Sequence, residues 1–367
     1  MAKVLLLGGT GAIGRYVQHE CLALGYQVSV TTRSDRIDTR PGITYIKGNA
    51  LDDTFLFELL RSGSYDAIVD FMVYRTADFL NRVTEFLNNS SHYIYLSSYR
   101  VFADTGNEPI TETSPRLLDV ADDSNFLQTD EYALAKARQE NILRSQDRKN
   151  WTIVRPSITY AENRLQFGCL EANTFLPRVH KGLPVAIPKE MMDRHTTMTW
   201  AADTAKMIVS LLFNDAAIGA DFNVLTNETR TWREIADLYY DLIGLRVCEV
   251  DLAEYMSLGL NRYQVLYDRL FNRICDNTKI RNTIKIDQSD MMLLEDGLRE
   301  SCLGSLISNS ALSRLHGRMD VLCGVNRITE AHSLKDSFGY FVGRTAILNR
   351  LAVRMNARKF APQCKPL

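Results

Sequence analysis

The chain has 367 residues, 46% of them hydrophobic and 24% charged, with a formal net charge of -1. That length can bury a large core and exceeds the usual single domain, so one large domain with a smaller companion is expected. The near-neutral balance gives no global attraction to nucleic acid or to an anionic membrane, and no nucleic-acid partner is expected.

The first element is the apolar run Val4 to Leu7, read as a buried parallel strand. Ile13, Val17, Cys21 and Leu24 follow at helical spacing, so Gly8-Gly9-Thr10-Gly11-Ala12-Ile13-Gly14 falls in a strand-to-helix turn. Small residues there let the backbone approach a pyrophosphate, whose charge suits the helix N-terminus. The bland alternative is a tight turn with no ligand.

Gln27 to Thr32, Thr44 to Lys47, Ala67 to Phe71, Tyr93 to Leu96 and Trp151 to Arg155 read as the next five strands. Helical stretches such as Thr54 to Arg61 and Asp78 to Asn88 fill the gaps. This alternation predicts an α/β fold, a Rossmann-like doubly wound parallel sheet with a smaller, discontinuous C-terminal substrate domain. Beyond Pro156 the pattern changes: Asn173 to Lys181 read as a helix, Thr196 to Asn214 as an apolar, sheet-packed segment, Phe222 to Leu225 as a strand and Trp232 to Ile243 as a helix. The expected division is 1–160, with returning segments at about 196–243, for the dinucleotide domain, and about 161–195 and 244–307 for the substrate domain.

Residues 308–367 are a C-terminal extension outside that plan. Their last helical stretch, Phe341 to Met355, carries Arg344, Arg350 and Arg354 among apolar residues. A basic amphipathic helix can bind an anionic membrane or a partner, but the ragged apolar stripe favours docking on its own domain or on a second subunit, and a homodimer is compatible with this. The seven cysteines, Cys21, Cys169, Cys248, Cys275, Cys302, Cys323 and Cys364, include no C-x-x-C pair. Their scatter points to reduced thiols, no metal site and a cytoplasmic location. The N-terminus shows no signal-peptide arrangement, and no apolar stretch is long enough for a transmembrane segment.

Tyr132 and Lys136 stand one helical turn apart. Taken alone they are an ordinary i, i+4 surface pair. Together with the glycine turn they suggest hydride-transfer chemistry, in which a tyrosine with pKa near 10 needs a neighbouring cation to act on a proton at neutral pH. Ser98 can donate a hydrogen bond to a substrate oxygen and steady its developing charge. At the end of the second strand an acidic residue would favour NAD, whereas Thr32-Arg33-Ser34 offers an arginine for a 2′-phosphate. NADP is therefore the first expectation; NAD remains open, because Arg33 can equally stack on adenine or face solvent.

Gly8 to Gly14, Ser97-Ser98-Tyr99-Arg100-Val101-Phe102, Tyr132-Ala133-Leu134-Ala135-Lys136 and Arg155-Pro156-Ser157-Ile158-Thr159-Tyr160 occur in a recognisable order. Over roughly residues 1 to 305 the chain resembles the extended short-chain dehydrogenase/reductases, in particular their NAD(P)-dependent nucleotide-sugar epimerase and dehydratase branch. The resemblance implies that Ser98 is the catalytic serine, Tyr132 the acid/base and Lys136 the ribose-binding lysine. The cofactor set then comprises Gly8, Gly9, Thr10, Gly11, Ala12, Ile13, Gly14, Arg33, Ser34, Asn49, Phe71, Ser97, Tyr132, Lys136 and Pro156. Asn173 and a displaced Arg194 join Ser98 on the substrate side, because Thr196 stands where the family's diphosphate arginine usually lies.

Other departures are Trp200 for a histidine ahead of Asp203, Asn49 for an aspartate at adenine, Phe102-Ala103 for Tyr-Gly, and Phe71-Met72-Val73-Tyr74 for the wall beside the cofactor. Tyr99-Arg100 replaces the acidic pair that usually follows the catalytic serine in the sugar 4,6-dehydratases, which points to epimerisation or ketoreduction of a nucleotide-activated sugar. A dehydrogenase of a smaller carbonyl compound stays open, as does a non-catalytic dinucleotide-sensing or RNA-binding protein on the same fold.

Overall fold

The structure is a computed structural model that describes residues 1–37, 40–162, 164–305, 313–326 and 334–359. It divides into two compact units. The first comprises Met1–Ala161, Thr197–Glu228 and Cys275–Leu294, and the second Glu162–Thr196, Thr229–Ile274 and 295 onward.

The first unit is built on seven parallel strands. β1 (Lys3–Leu7), β2 (Gln27–Thr32), β3 (Ile43–Lys47), β4 (Ala67–Asp70), β5 (His92–Leu96), β6 (Trp151–Arg155) and the strand Ala220–Asn223 lie in the order Ala220–Asn223, β6, β5, β4, β1, β2, β3. Successive side chains of a strand point to opposite faces. Val4 and Leu6 accordingly join Val17 and Cys21 of α1 (Ala12–Ala23) in one core, while Leu5 and Leu7 join Leu56 of α2 (Asp53–Gly63) and Phe79 of α3 (Thr76–Asn88) in the other. Burial on both faces is why β1 reads as an unbroken apolar run. The order reverses between β1 and β4, the switch point where ligands of doubly wound sheets lie beyond the strands' carboxyl ends. Both the glycine turn and residues Phe71–Tyr74 emerge there.

The segment Thr196 to Asn214, expected to pack on the sheet, does so as a helix. After the short strand Met198–Trp200, residues Ala201–Leu211 form a helix whose Ala205, Met207, Ile208 and Leu211 share the core of α1. The return to the first unit stops at Glu228 rather than near 243. Helix Trp232–Ile243 belongs to the second unit, held by a Thr231–Glu234 capping box at one end and left-handed Gly244 at the other.

In the second unit Val185–Pro188 pairs in parallel with Val247–Val250, and His195–Thr196 pairs antiparallel with Arg230–Thr231. The expected C-terminal extension is an integral part of this unit. Helices Arg314–Leu322 and Leu334–Arg344 cross closely: a Cβ on Gly317 would lie 2.0 Å from the Tyr340 carbonyl oxygen. Buried Asp320 accepts a hydrogen bond from Tyr340 and pairs with Arg178 at 2.7 Å. The single helix expected over Phe341 to Met355 is two, broken at Thr345, with the second spanning Ala346–Lys359.

Candidate active site

The glycine turn is fixed from beneath. Gly8 has φ +71, a left-handed conformation in which a side chain is strained, and its N–H donates to Thr31 Oγ1 at 2.9 Å. Gly14 allows the turn to close on α1, since a Cβ there would meet the Gly9 carbonyl oxygen at 2.3 Å. Gln18, one turn further and fully buried, donates to the same carbonyl at 2.7 Å and accepts from Tyr45 at 2.8 Å. Thr31 and Gln18 were not among the expected site residues. The signal for Gln18 was a polar residue on the buried face of an amphipathic helix.

Gly11 caps α1 without a side-chain hydrogen bond, and the first turn of that helix contains no acidic residue. A Cβ on Gly11 would meet no heavy atom within 4 Å. An open helix N-terminus lined by N–H groups fits a pyrophosphate. The residues present therefore suit a dinucleotide.

The helix Tyr132–Ser145 begins with Glu131, whose carboxylate accepts the Ala133 N–H at 2.7 Å, and so sets Tyr132 at the first helical position. Lys136 is buried, and its ammonium donates to the Leu96 carbonyl at 2.6 Å and the Met72 carbonyl at 3.4 Å. An ammonium has three donors, so one remains for a ligand hydroxyl. The ammonium lies 6.0 Å from the centroid of the Tyr132 ring. Burial pushes the Lys136 pKa down to about 8, against the opposing pull of the Asp70 and Glu140 carboxylates.

Ser98 follows β5 and caps the short turn Tyr99–Val101, accepting the Arg100 N–H at 3.2 Å. Its hydroxyl proton is left to meet an incoming oxygen. Arg100 pairs with Glu131 at 2.8 Å and stacks over Tyr132 at 5.1 Å. Arg100 thus links the group: its N–H meets Ser98, its guanidinium lies over Tyr132, and Lys136 stands 6.0 Å from that ring. The contribution of Arg100 was missed, because its position next to Ser98 was read only as a departure from the acidic pair.

A second omission is Asp70, at the carboxyl end of β4. It accepts from Tyr93 at 2.7 Å, the Met72 N–H at 2.9 Å and Tyr74 at 3.2 Å. Burial raises its pKa, countered by those three donors and the charge of Lys136. The Met72 peptide therefore links two site groups, its N–H held by Asp70 and its carbonyl receiving Lys136.

Beneath the site, Arg155 grips Glu140 through two hydrogen bonds of 2.8 Å, and Arg116 approaches the same carboxylate at 3.3 Å. Burial works to raise the Glu140 pKa, but the Arg155 charge and hydrogen bonds, Ser97 and Arg116 outweigh it and hold it below the ordinary carboxylate value. Ser97, expected at the cofactor, donates its hydroxyl to Glu140 at 2.6 Å instead. That hydroxyl is committed to the domain interior, and the Ser97 N–H is engaged as well, donating to the Val154 carbonyl at 2.8 Å.

Among the remaining expected cofactor residues, Arg33 and Ser34 are exposed just beyond β2, and Arg33 makes no ion pair with a described residue. Asn49 is exposed after β3, with Oδ1 accepting the Leu51 N–H at 3.2 Å. Phe71 is half-buried against the α1 core, and buried Pro156 accepts the Tyr99 N–H through its carbonyl at 3.1 Å.

The expected substrate residues Asn173 and Arg194 lie in the second unit, whereas Ser98, Tyr132 and Lys136 lie in the first. Asn173 is exposed in the first turn of helix Ala172–His180, and Arg194 is exposed ahead of His195–Thr196. Trp200 packs between Tyr16 at 5.9 Å and Tyr160 at 5.6 Å. Asp203 accepts the Met292 N–H at 2.8 Å, tying the 275–294 segment to the first unit's core.

A model of the NAD dependent epimerase/dehydratase family matches residues 4–224. Over 236 residues the chain is 25% identical to the chloroplast stem-loop binding protein of 41 kDa b of Arabidopsis thaliana, a match covering 60% of this chain and 58% of the relative. Pal from Bacillus thuringiensis has the same fold, with a TM-score of 0.67 at 18% identity over 82% of this chain and 98% of that one. The Thermus thermophilus UDP-glucose 4-epimerase, solved with NAD, gives 0.63 at 18% identity over 83% and 98%.

Proposed function

The chain belongs to the NAD dependent epimerase/dehydratase family, and from that membership we propose an enzyme that epimerises or reduces a nucleotide-activated sugar. The observation that carries this reading is the buried Lys136 ammonium beside the Tyr132 ring, in the same cluster as Ser98. A purely structural helix has no need to bury an ammonium at the mouth of a dinucleotide-binding turn.

The turn from Gly8 to Gly14 and the free end of α1 hold the dinucleotide, and Lys136 meets its ribose. When bound, the nicotinamide supplies a hydride acceptor and donor. Tyr132 takes the proton from the sugar hydroxyl that is being oxidised, and returns it when the carbonyl is reduced. The Lys136 charge stabilises the phenolate that takes this proton and that is left again when the proton is returned, and Arg100 over the ring adds a second cation. Ser98 donates to the same sugar oxygen as charge develops on it. Tyr99-Arg100 offers no carboxylate to remove the proton next to the carbonyl, so elimination of water is not the proposed reaction.

Arg33 makes NADP the proposed cofactor, with NAD as the alternative, and Asn173 and Arg194 are the proposed contacts to the nucleotide diphosphate. Mass spectrometry of small molecules released from the purified protein, followed by incubation with UDP-, CDP-, GDP- and dTDP-sugars, tests the substrate class. Turnover of one of these supports the reading. Activity confined to small carbonyl compounds replaces it with the dehydrogenase alternative. The name of the Arabidopsis relative favours a second reading, a dinucleotide-binding protein that handles RNA. Sequence-specific RNA binding together with full function of Tyr132→Phe would select it.

A further inference from the structure

The helix Ala346–Lys359 is amphipathic in the opposite sense to a docked surface helix. It is held to its unit by a polar contact: buried Asn349 donates to the Ser257 carbonyl at 2.8 Å and accepts from Arg314 at 2.5 Å, with half-buried Val353 against Gly259. The apolar row faces outward. Ile347, Leu351 and Met355, spaced i, i+4, i+8, are 72%, 52% and 64% exposed, and Leu348 beside them is 46% exposed. At about 100° per residue, exposed Arg350 and Arg354 fall along one edge of that row. The helix sequence contains Arg350, Arg354, Arg358 and Lys359 and no acidic residue. The preceding helix, Leu334–Arg344, leaves Phe338 and Phe341 exposed as well.

We propose that the outward face of Ala346–Lys359 lies in the surface of an anionic lipid bilayer, with Ile347, Leu351 and Met355 in the acyl boundary and Arg350 and Arg354 at the headgroups. Three occupants compete for such a face. A second copy of the chain would bring two arginine rows together with no carboxylate from either helix to answer them, and interface cores are depleted of charge. Nucleic acid would satisfy the arginines, and exposed Phe338 and Phe341 could stack on bases, but the aliphatic row of Ile347, Leu351 and Met355 would stay uncovered. An anionic membrane meets both demands, since apolar side chains enter the boundary region while basic ones meet lipid phosphates. No helix among the described residues is long and apolar enough to cross a membrane, so the contact is peripheral.

The inference stands apart from the reaction, and its test needs no substrate. The full chain is sedimented with vesicles of phosphatidylcholine alone and of phosphatidylcholine mixed with phosphatidylglycerol, at low and high salt. Binding to the mixed vesicles that salt weakens, and little to the neutral ones, is the expected result. Leu351→Glu, at an exposed position where the thermal melt should stay unchanged, should lower binding about tenfold or more, and Arg354→Gln about fivefold. Failure of the parent to bind anionic vesicles, or equal binding by Leu351→Glu, overturns the proposal. So does a parent oligomer that Leu351→Glu splits into monomers without any lipid binding, which would make the face a subunit contact. Binding of single-stranded RNA that is lost in Arg354→Gln and kept in Leu351→Glu would overturn it in favour of nucleic acid.

Discussion

The residues expected at the site are placed in opposite ways in the two units, although both units bury ion pairs, Arg155 with Glu140 in the first and Arg178 with Asp320 in the second. In the first, Asp70, Lys136, Glu140 and Arg155 are almost completely buried, and each is hydrogen-bonded or ion-paired within the unit. In the second, the residues expected to meet substrate, Asn173 and Arg194, are exposed, and so is the apolar row of Ala346–Lys359. Prearranged buried charge is what a chemical step needs, because dipoles fixed before reaction require no reorganisation during it. Exposed polar groups suit recognition, where selectivity comes from what is displaced when a ligand arrives. The proposed function places chemistry in the first unit and choice of substrate in the second.

The largest effect expected from this division is at Tyr132. Tyr132→Phe should reduce turnover by about 10²–10⁴-fold, the range of one acid/base group, while cofactor affinity measured by fluorescence titration stays nearly constant. An unchanged rate breaks the assignment. Next in size is stability. Glu140→Gln leaves Arg155 buried with a weakened partner and should destabilise the fold by about 3–5 kcal/mol. Arg233 of the second unit pairs in solvent with Asp193 and Glu249, so Arg233→Ala should stay within about 1 kcal/mol in the same urea titration. Similar losses at the two positions would erase the contrast.

Arg33→Ala should weaken NADP(H) by about 1.5–3 kcal/mol and NAD(H) little, as expected for one charge-assisted contact to a phosphate. Asn173→Ala should raise KM for the nucleotide sugar without moving cofactor affinity, which is the corresponding test on the second unit. A parent that prefers NAD contradicts the role of Arg33.

The smallest effect is on pH dependence, and its sign is fixed by Lys136. Folded Lys136 loses its proton near pH 8, whereas the unfolded lysine keeps it up to about 10.5. Between those values the unfolded chain binds more protons, so stability should rise with pH across the window relative to Lys136→Met, with the full penalty of the buried charge present below it. Asp70→Asn removes the carboxylate that supports the ammonium, so the alkaline limb of kcat should move to lower pH. A limb that stays in place would remove Asp70 from the site's electrostatics.

Much of this arrangement was legible from residue order. Strands β2 and β6 fall where the sequence places them, because both are rich in β-branched and aromatic residues, Val28, Val30, Thr31 and Thr32 in one and Trp151, Thr152, Ile153 and Val154 in the other. The turn from Gly8 to Gly14 was legible for a related reason: its glycines answer to backbone geometry, which spacing records. Gln18, Asp70 and Glu140 were not legible as site supports, since the partners Gly9, Tyr45, Tyr93, Ser97 and Arg155 lie 9 to 43 positions away. Nothing local distinguishes a buried carboxylate from a solvated one until its arginine is found. The Ser97 hydroxyl's commitment to Glu140 was illegible for the same reason, since its partner lies 43 residues on. A helix was anticipated over Phe341 to Met355, but neither its break at Thr345 nor the orientation of Ala346–Lys359 was, because docking through Asn349 depends on Arg314 and Ser257.

The central claim is that Tyr132, Lys136 and Ser98 move a proton on a nucleotide sugar while hydride passes between that sugar and the nicotinamide. Rapid mixing of the cofactor-loaded protein with the nucleotide sugar it retains or turns over, followed by nicotinamide absorbance, tests this most directly. The account predicts a transient or net change in nicotinamide redox state in the parent that is lost in Tyr132→Phe although the sugar still binds. A parent that binds the sugar with no change at the nicotinamide, or a Tyr132→Phe trace that matches the parent, would contradict it.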